Sequence, residues 1–134
     1  HVQRQVVAAS RQKIGRHHPD YVSALNNLAH TLYAQAKYEE AKELYRQAHA
    51  GRQKHFGDHH DKTVDVKDSL ATTLVMQGKF DEAVQLFREA LAVRQALGDS
   101  NDPSTLQARR NLDMALAKQK KAKEAEGKLQ ASVD

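Results

Sequence analysis

The stretch Leu28–Ala48 reads LAHTLYAQAKYEEAKELYRQA, and the stretch Leu70–Ala90 reads LATTLVMQGKFDEAVQLFREA. Equivalent residues therefore recur at a constant offset of 42 positions. A third, worn copy follows at the same offset with Leu112, Leu116, Gln119, Glu124, Ala125 and Leu129, and a half copy precedes the first with Val2, Val6 and Gly15. A period of this length predicts stacked supersecondary units, because one unit cannot bury its apolar face without a neighbour.

Within each copy the apolar residues have helical spacing. Val22, Leu25, Leu28, Ala29 and Leu32 keep the three-and-four spacing of one helix stripe, and a second stripe begins at Ala41. Each repeat should therefore hold two helices. No stretch keeps a period of two, so we expect no strand. The predicted helices cover residues 2–14, 19–34, 38–54, 61–76, 80–96, 103–118 and 122–131.

The breaks between helices coincide with small residues and prolines. Within a repeat the chain should turn at Ala36-Lys37 and at Gly78-Lys79, where glycine can adopt the left-handed conformation that ends a helix. Between repeats the marks are Gly15, Gly57 and Gly98. Pro19 and Pro103 suit a first helical turn, and Asp102 can cap the helix that follows it.

Composition fits one domain and narrows the function classes. The 134 residues are 40% hydrophobic, and the absence of cysteine excludes a disulfide framework and a thiol nucleophile. It is compatible with the cytoplasm or another reducing intracellular compartment, which is where we expect the protein. The apolar runs are far shorter than the roughly 20 residues that span a bilayer, so we expect no membrane span.

The formal net charge of +4 is unevenly distributed. From Arg109 onward the basic residues outnumber the acidic ones, which are Asp113, Glu124, Glu126 and Asp134. Such a region could bind nucleic acid, an anionic membrane or an acidic peptide, although lysine and glutamate also make up ordinary exposed helix faces. We favour the exposed face. The basic residues are Arg109, Arg110, Lys118, Lys120, Lys121, Lys123 and Lys128.

Chemical motifs are absent from the sequence. There is no Gly-x-Ser-x-Gly elbow, no glycine loop for phosphate and no His-Glu-x-x-His helix, so we expect no catalytic residue, no cofactor and no small-molecule substrate. Histidines and aspartates concentrate near the loops between repeats and could suggest zinc. We interpret them as structural and expect no metal site. These residues are His17, His18, His55, Asp58, His59, His60 and Asp61.

The residues resemble a known family. The spacing Leu25-x2-Leu28-Ala29-x2-Leu32, followed by Ala41-x3-Tyr45, is similar to the tetratricopeptide repeat. The segments His18-Pro19-Asp20 and Lys37-Tyr38-Glu39-Glu40-Ala41 further resemble the longer repeat of kinesin light chains. The resemblance implies an all-α fold, a right-handed α-solenoid of helix-turn-helix repeats. The small residues Ala29, Ala41, Ala71 and Ala83 should lie at helix contacts, and Tyr38, Tyr45, Phe80 and Phe87 in the core.

We divide the single domain by this period. Residues 1–17 form the second helix of a preceding repeat, 18–59 repeat 1, 60–101 repeat 2 and 102–134 a degraded terminal repeat. Lys67 and Arg109 replace Leu25, Asp113 replaces Ala29, and Lys120 and Ala122 replace Gly78 and Phe80. These changes predict that the last helix covers the previous one and faces solvent on its other side. Alternatively, Asp113 and the lysines face another domain.

The resemblance also implies where a partner binds. In such a stack the first helix of each pair lines the concave side, and its polar positions form a groove for a peptide or helix. Asn27 and Asn111 are the most suggestive of these groove positions, because an amide can both donate to and accept from a ligand main chain. The groove positions are Ser23, Asn26, Asn27, His30, Tyr33, Asp65, Asp68, Ser69, Thr72, Met76, Gln107, Arg110, Asn111 and Met114.

The predicted function is thus a non-enzymatic protein–protein interaction module, either an adaptor or scaffold or a regulatory domain. Because the groove charges are mixed, we expect a ligand of mixed charge, with its acidic part near Arg110 and its basic or neutral part near Asp68. Two alternatives remain. The chain could self-associate through its N-terminal helix, where Val2, Val6, Val7 and Ile14 lack a repeat partner, or its basic end could bind nucleic acid.

Overall fold

A computed structural model describes residues 2–14, 18–98 and 100–133 of the chain. Side chains of residues 2, 10, 12–14 and 133 lie outside that description, as do Gly15 and His17 altogether. The described residues form six α-helices and no strand. The helices are α1 (Val2–Ile14), α2 (Pro19–Ala34), α3 (Tyr38–Phe56), α4 (Asp61–Met76), α5 (Phe80–Leu97) and α6 (Pro103–Val133).

The helices stack in chain order. Each helix packs mainly against its neighbours in sequence, from α1 on α2 through to α5 on α6. The predicted stripes form one core, with Leu28, Leu32, Leu70 and Leu74 buried inside it. The architecture is therefore an all-α repeat solenoid, as predicted, in which α2, α4 and α6 are the first helices and α1, α3 and α5 the second helices. The exact repeat boundaries stay our proposal.

Small and aromatic residues occupy the predicted helix contacts. Ala29, Ala41, Ala71 and Ala83 have no exposed surface at all. Larger side chains there would push the helices apart, and such overpacking typically costs about 1 to 3 kcal/mol. Tyr45 and Phe87 are fully enclosed in the core, whereas Phe80 packs on its edge and Tyr38 stacks edge-on against Tyr33.

The turns inside the repeats lie where the sequence predicts them. Ala36 has φ 61° and Gly78 has φ 75°, both in the left-handed region. The amide of Lys37 donates to the carbonyl of Leu32 at 2.9 Å, and the amide of Lys79 donates to that of Leu74 at 2.9 Å. These bonds satisfy carbonyls that a helix end leaves without a partner. Only the second turn has glycine, so the first one carries some backbone strain.

The loop histidines cap helices. The amide of Asp20 donates to Nδ1 of His18 at the start of α2, and the amide of Lys62 donates to Nδ1 of His60 at the start of α4, both at 3.1 Å. Asp102 caps α6 as predicted, accepting from the amide of Ser104 at 2.9 Å. Two of the loop histidines therefore have a structural role, because they accept hydrogen bonds from backbone amides that would otherwise have no partner at the helix start.

The predicted break between residues 118 and 122 is wrong. The segments 103–118 and 122–131 form one helix of 31 residues, so no last helix folds back to cover its predecessor. Two differences from the earlier repeats account for this: Lys120 occupies the position of Ala36 and Gly78, and Ala122 replaces the aromatic residues Tyr38 and Phe80, which pack just after the turn. Lysine, glutamine, glutamate and alanine are good helix formers and dominate this region, so nothing favours a left-handed residue there.

Candidate functional site

The predicted groove positions lie on the first helices α2, α4 and α6. None of them is buried, although neighbours on the same helices such as Leu28 and Leu70 are. Asn27, Gln107 and Arg110 are exposed, and Asn111 and Met114 are half-buried. The first helices therefore keep one polar, accessible face along with their core face.

On α2 the polar positions contact one another. Nε2 of His30 lies 3.3 Å from the side-chain nitrogen of Asn26, and its Nδ1 lies 2.6 Å from the hydroxyl of Tyr45. Burial raises the pKa of Tyr45 to about 12, so its hydroxyl stays protonated. Nothing described bonds the side-chain amide of Asn27, which leaves its donor and acceptor available to a ligand.

On α4 the acidic groove positions are held by an arginine of α5. Arg94 donates from Nη2 to Oδ1 of Asp65 at 2.6 Å and from Nη1 to Oδ2 of Asp68. The side chains of Arg94 and Asp68 are only 10% and 19% exposed. Burial raises the pKa of Asp68, and the adjacent guanidinium opposes that shift. Two carboxylates facing one guanidinium leave the centre of the groove with less negative charge than the sequence suggests.

Sequence reasoning missed Arg94. Its partners precede it by 26 and 29 residues, a separation that no helix periodicity marks. The only signal was that repeat 2 carries Asp65 and Asp68 where repeat 1 carries Ser23 and Asn26. An acidic pair that appears in only one copy indicates a local partner.

Lys67, which replaces a leucine, is also paired. Its Nζ lies 3.1 Å from Oε1 of Glu89 on α5, and its side chain is mostly buried. Burial tends to raise the pKa of Glu89, but hydrogen bonds from Lys67 and Gln85 outweigh it and lower that pKa. The substitution is therefore tolerated because a neighbouring helix supplies the counter-charge.

On α6 the groove positions bond along the helix. The side-chain nitrogen of Gln107 donates to Oδ1 of Asn111 at 2.9 Å, and Nη2 of Arg110 donates to Oε1 of Gln107 at 3.2 Å. No described carboxylate pairs with Arg110. This end of the face is cationic, and its charge is open to a ligand.

Two histidines with lowered pKa values, His30 and His49, should make stability depend on pH. Burial lowers the pKa of His30, aided by Arg52, and burial lowers the pKa of His49, aided by Lys67. As pH falls below about 6.5, the unfolded chain binds protons that the folded chain excludes, so the free energy of unfolding should decrease. We expect a lower melting temperature at about pH 5.5 than at about pH 7.5.

Thermal unfolding across that range would measure the effect. The double variant His30→Gln and His49→Gln should flatten the dependence, whereas Gln47→Ala, which removes an exposed side chain that does not titrate, should leave it unchanged. An equal slope in the parent and the double variant would contradict the assignment.

The chain matches a family model over almost its whole length. The tetratricopeptide repeat model aligns with residues 2–54, 20–96 and 63–134. The chain belongs to the tetratricopeptide repeat family. This repeat fold is a non-enzymatic scaffold for protein–protein interaction.

Solved tetratricopeptide repeat structures resemble the whole stack. A Podospora anserina protein assigned as a kinesin light chain with nearly identical repeats is 27% identical to this chain, with a TM-score of 0.83. A point variant of that protein gives the same identity and TM-score. Both alignments cover 92% of this chain, which spans 58% of the variant and 59% of the parent. BtubC (BKLC) from P. vanneervenii shows the same fold at 23% identity and a TM-score of 0.81, over 93% of this chain and 50% of BtubC. Curated protein sequences gave no match.

Two further structural findings concern membrane spans and metal sites. Within residues 2–14, 18–98 and 100–133, no helix of this tetratricopeptide repeat chain is long and apolar enough to cross a membrane. Over the same residues, no group of three or more histidine and acidic side chains could hold a metal ion. The basic residues from Arg109 onward are all exposed along α6, and nucleic-acid binding by them stays a prediction.

Proposed function

We propose that the chain binds a segment of a partner protein, an extended peptide or a helix, along the polar face of α2, α4 and α6. The observation that carries this proposal is that groove positions on all three first helices, such as Asn27, Asp65 and Arg110, are exposed while residues beside them are buried. A surface on which equivalent side chains recur at regular intervals along the stack suits a linear ligand, because the ligand can contact each repeat in turn.

The charges of this face support a ligand of mixed character. On α2 the positions are uncharged, since His30 has a lowered pKa. On α4 the two aspartates share Arg94, which leaves one net negative charge. On α6 Arg110 has no described counter-charge. We therefore propose that a neutral or basic part of the ligand lies over Asp65 and Asp68 and an acidic part lies near Arg110.

Selected peptides would test the proposal. Random peptides displayed on phage would be selected on the immobilised chain, and the binders measured by fluorescence anisotropy. The double variant Asn27→Ala and Arg110→Ala should weaken binding by about tenfold or more, since hot-spot truncations typically cost more than 1 kcal/mol each. Asp68 is a poor choice for this test because its removal also unpairs Arg94.

A matched control lies on the second helices. Lys54→Ala and Gln95→Ala remove exposed side chains of similar type from α3 and α5, and both should leave peptide affinity unchanged. Helicity measured by circular dichroism should be the same in both double variants. Equal affinity of the groove variant and the parent would contradict the proposal, as would a loss of binding confined to the α3 and α5 variant.

Self-association through α1 has one observation in its favour. Val6 is 53% exposed, while Val7 packs against the core. The side chains of Val2 and Ile14, the other residues of this prediction, lie outside the described set. Substitution of Val6 by Ser should then reduce any concentration-dependent association seen by light scattering, and an unchanged scattering profile would contradict this second candidate.

A further inference from the structure

Ion pairs at the repeat spacing connect successive second helices. Arg4 of α1 lies 2.5 Å from Glu40 of α3, and Arg46 of α3 lies 3.6 Å from Glu82 of α5. Both members advance by 42 residues from one pair to the next. The same step leads to Arg88 and Glu124, so the sequence encodes a third pair.

The third pair is not formed in the structure. Glu124 lies on the straight extension of α6, and no described carboxylate pairs with Arg88. The preceding contact of the repeat does form, because Gln119 donates to Asp81 at 2.7 Å just as Gln77 donates to Glu39 at 2.8 Å. The repeat geometry is therefore kept up to residue 119 and lost after it.

The segment after this point, residues 120–131, has the pattern of a second helix but does not cover the first half of α6; near its start, Nζ of Lys123 lies 4.0 Å from Asp81 of α5. Ala125 stands at the position of Ala41 and Ala83, and Leu129 at that of Tyr45 and Phe87. Yet Leu129 is 68% exposed, while Tyr45 and Phe87 are 2% and 1% exposed. We call this segment the tail.

The first half of α6 lacks the covering that earlier first helices have. Leu112 and Leu116 are half-buried, while their equivalents on α2 and α4 are buried. This apolar strip is where a second helix lies in the preceding repeats.

The two halves of α6 also carry opposite charges at positions that would face each other. Asp113 replaces the alanine that faces a second helix in earlier repeats, and it is exposed. In the tail, Lys121 and Lys128 lie on either side of Ala125, four residues before and three after, and so share its helix face. A tail placed on the strip would bring lysines to Asp113 and Glu124 to Arg88.

We propose that the strip formed by Leu112 and Leu116 binds the tail of a second copy of this chain, and that the exchange is reciprocal. The unbroken helix carries each tail up to about 20 Å beyond residue 119, away from its own strip. Two α6 helices lying antiparallel about a two-fold axis near residue 119 place each tail on the other's strip, and Arg88 of each copy then pairs with Glu124 of its partner.

Cross-linking distinguishes a second copy from the chain's own tail. The protein has no cysteine, so Arg88→Cys and Glu124→Cys variants can be made without background. With a short bis-maleimide, a mixture of the two single variants should give a covalent dimer. Each variant alone should not, and neither should a mixture of Gln85→Cys with Glu124→Cys.

The variant that carries both cysteines settles the alternative. It should give mainly intermolecular products, and a purely internal cross-link would show that the tail folds onto its own strip, which would overturn the proposal. Light scattering of the parent from about 5 to 200 µM should show a rise toward twice the monomer mass. A monomer throughout, without a cross-link in the mixture, would also overturn it.

A single substitution should reverse the exchange. Lys120→Gly places glycine where Ala36 and Gly78 turn the chain, which lets the tail fold back on its own strip. We expect this variant to remain monomeric over the same concentration range and to give the internal cross-link when both cysteines are present. A variant that dimerises as the parent does would contradict the role assigned to this position.

Discussion

We expect the Phe87→Ala variant to lose about 3 to 5 kcal/mol of free energy of unfolding, the usual cost of truncating a buried aromatic ring. Phe87 is fully enclosed between helices of the stack. By contrast, Leu129→Ala at the equivalent repeat position should change the free energy of unfolding by less than about 0.5 kcal/mol, because its side chain lies in solvent. Urea unfolding followed by circular dichroism would measure both.

The comparison must be made at a concentration where the chain is monomeric. Tyr45→Ala, at the same position of the first repeat, should cost about as much as Phe87→Ala, since both are buried alike. A large loss from Leu129→Ala in the monomer would mean that the end of α6 is packed on the body, and the straight helix would then be wrong.

Removal of the arginine that bridges α4 and α5 should have the next largest effect. Arg94→Met leaves the carboxylate of Asp68 without its counter-charge in a mostly buried position. Breaking such a pair from one side typically costs about 3 kcal/mol or more. Asp65 is mostly exposed, so water can solvate it and its contribution should be small. Thermal and urea unfolding would detect the loss.

A second substitution, in Asp68, makes this test specific. Adding Asp68→Asn to Arg94→Met should restore about half of the loss or more, because it removes the unpaired charge. Arg88→Met is the matched control on the same helix, and it should change the free energy of unfolding by less than about 0.5 kcal/mol in the monomer. Equal losses for Arg94→Met and Arg88→Met would show that the bridge contributes nothing.

The elements that could be predicted from sequence are those set by local chemistry. Apolar spacing gave α1, α2 and α4 with the observed ends and α3 and α5 to within two residues. Gly78 and Pro19 marked a turn and a helix start, because each restricts or frees the backbone by itself. Such signals need no knowledge of distant residues.

Contacts between helices could not be predicted in the same way. The bridge from Arg94 depends on the rotation of α5 against α4, which no residue of either helix determines alone. The course of α6 depends on a competition at Lys120 between continuing a helix and turning back onto a strip that lacks full repeat character. The repeat phase argued for the turn, and helix propensity prevailed.

The offset between each arginine and the glutamate that it meets has a consequence for how such arrays grow. Because Arg4 and Arg46 each meet their glutamate in the following unit, the trailing edge of one unit is complementary to the leading edge of the next. A duplicated copy of residues 60–101 would therefore fit between repeats 1 and 2 without redesign, so that lengthening by gene duplication leaves this junction intact while the copies are free to diverge in what they recognise.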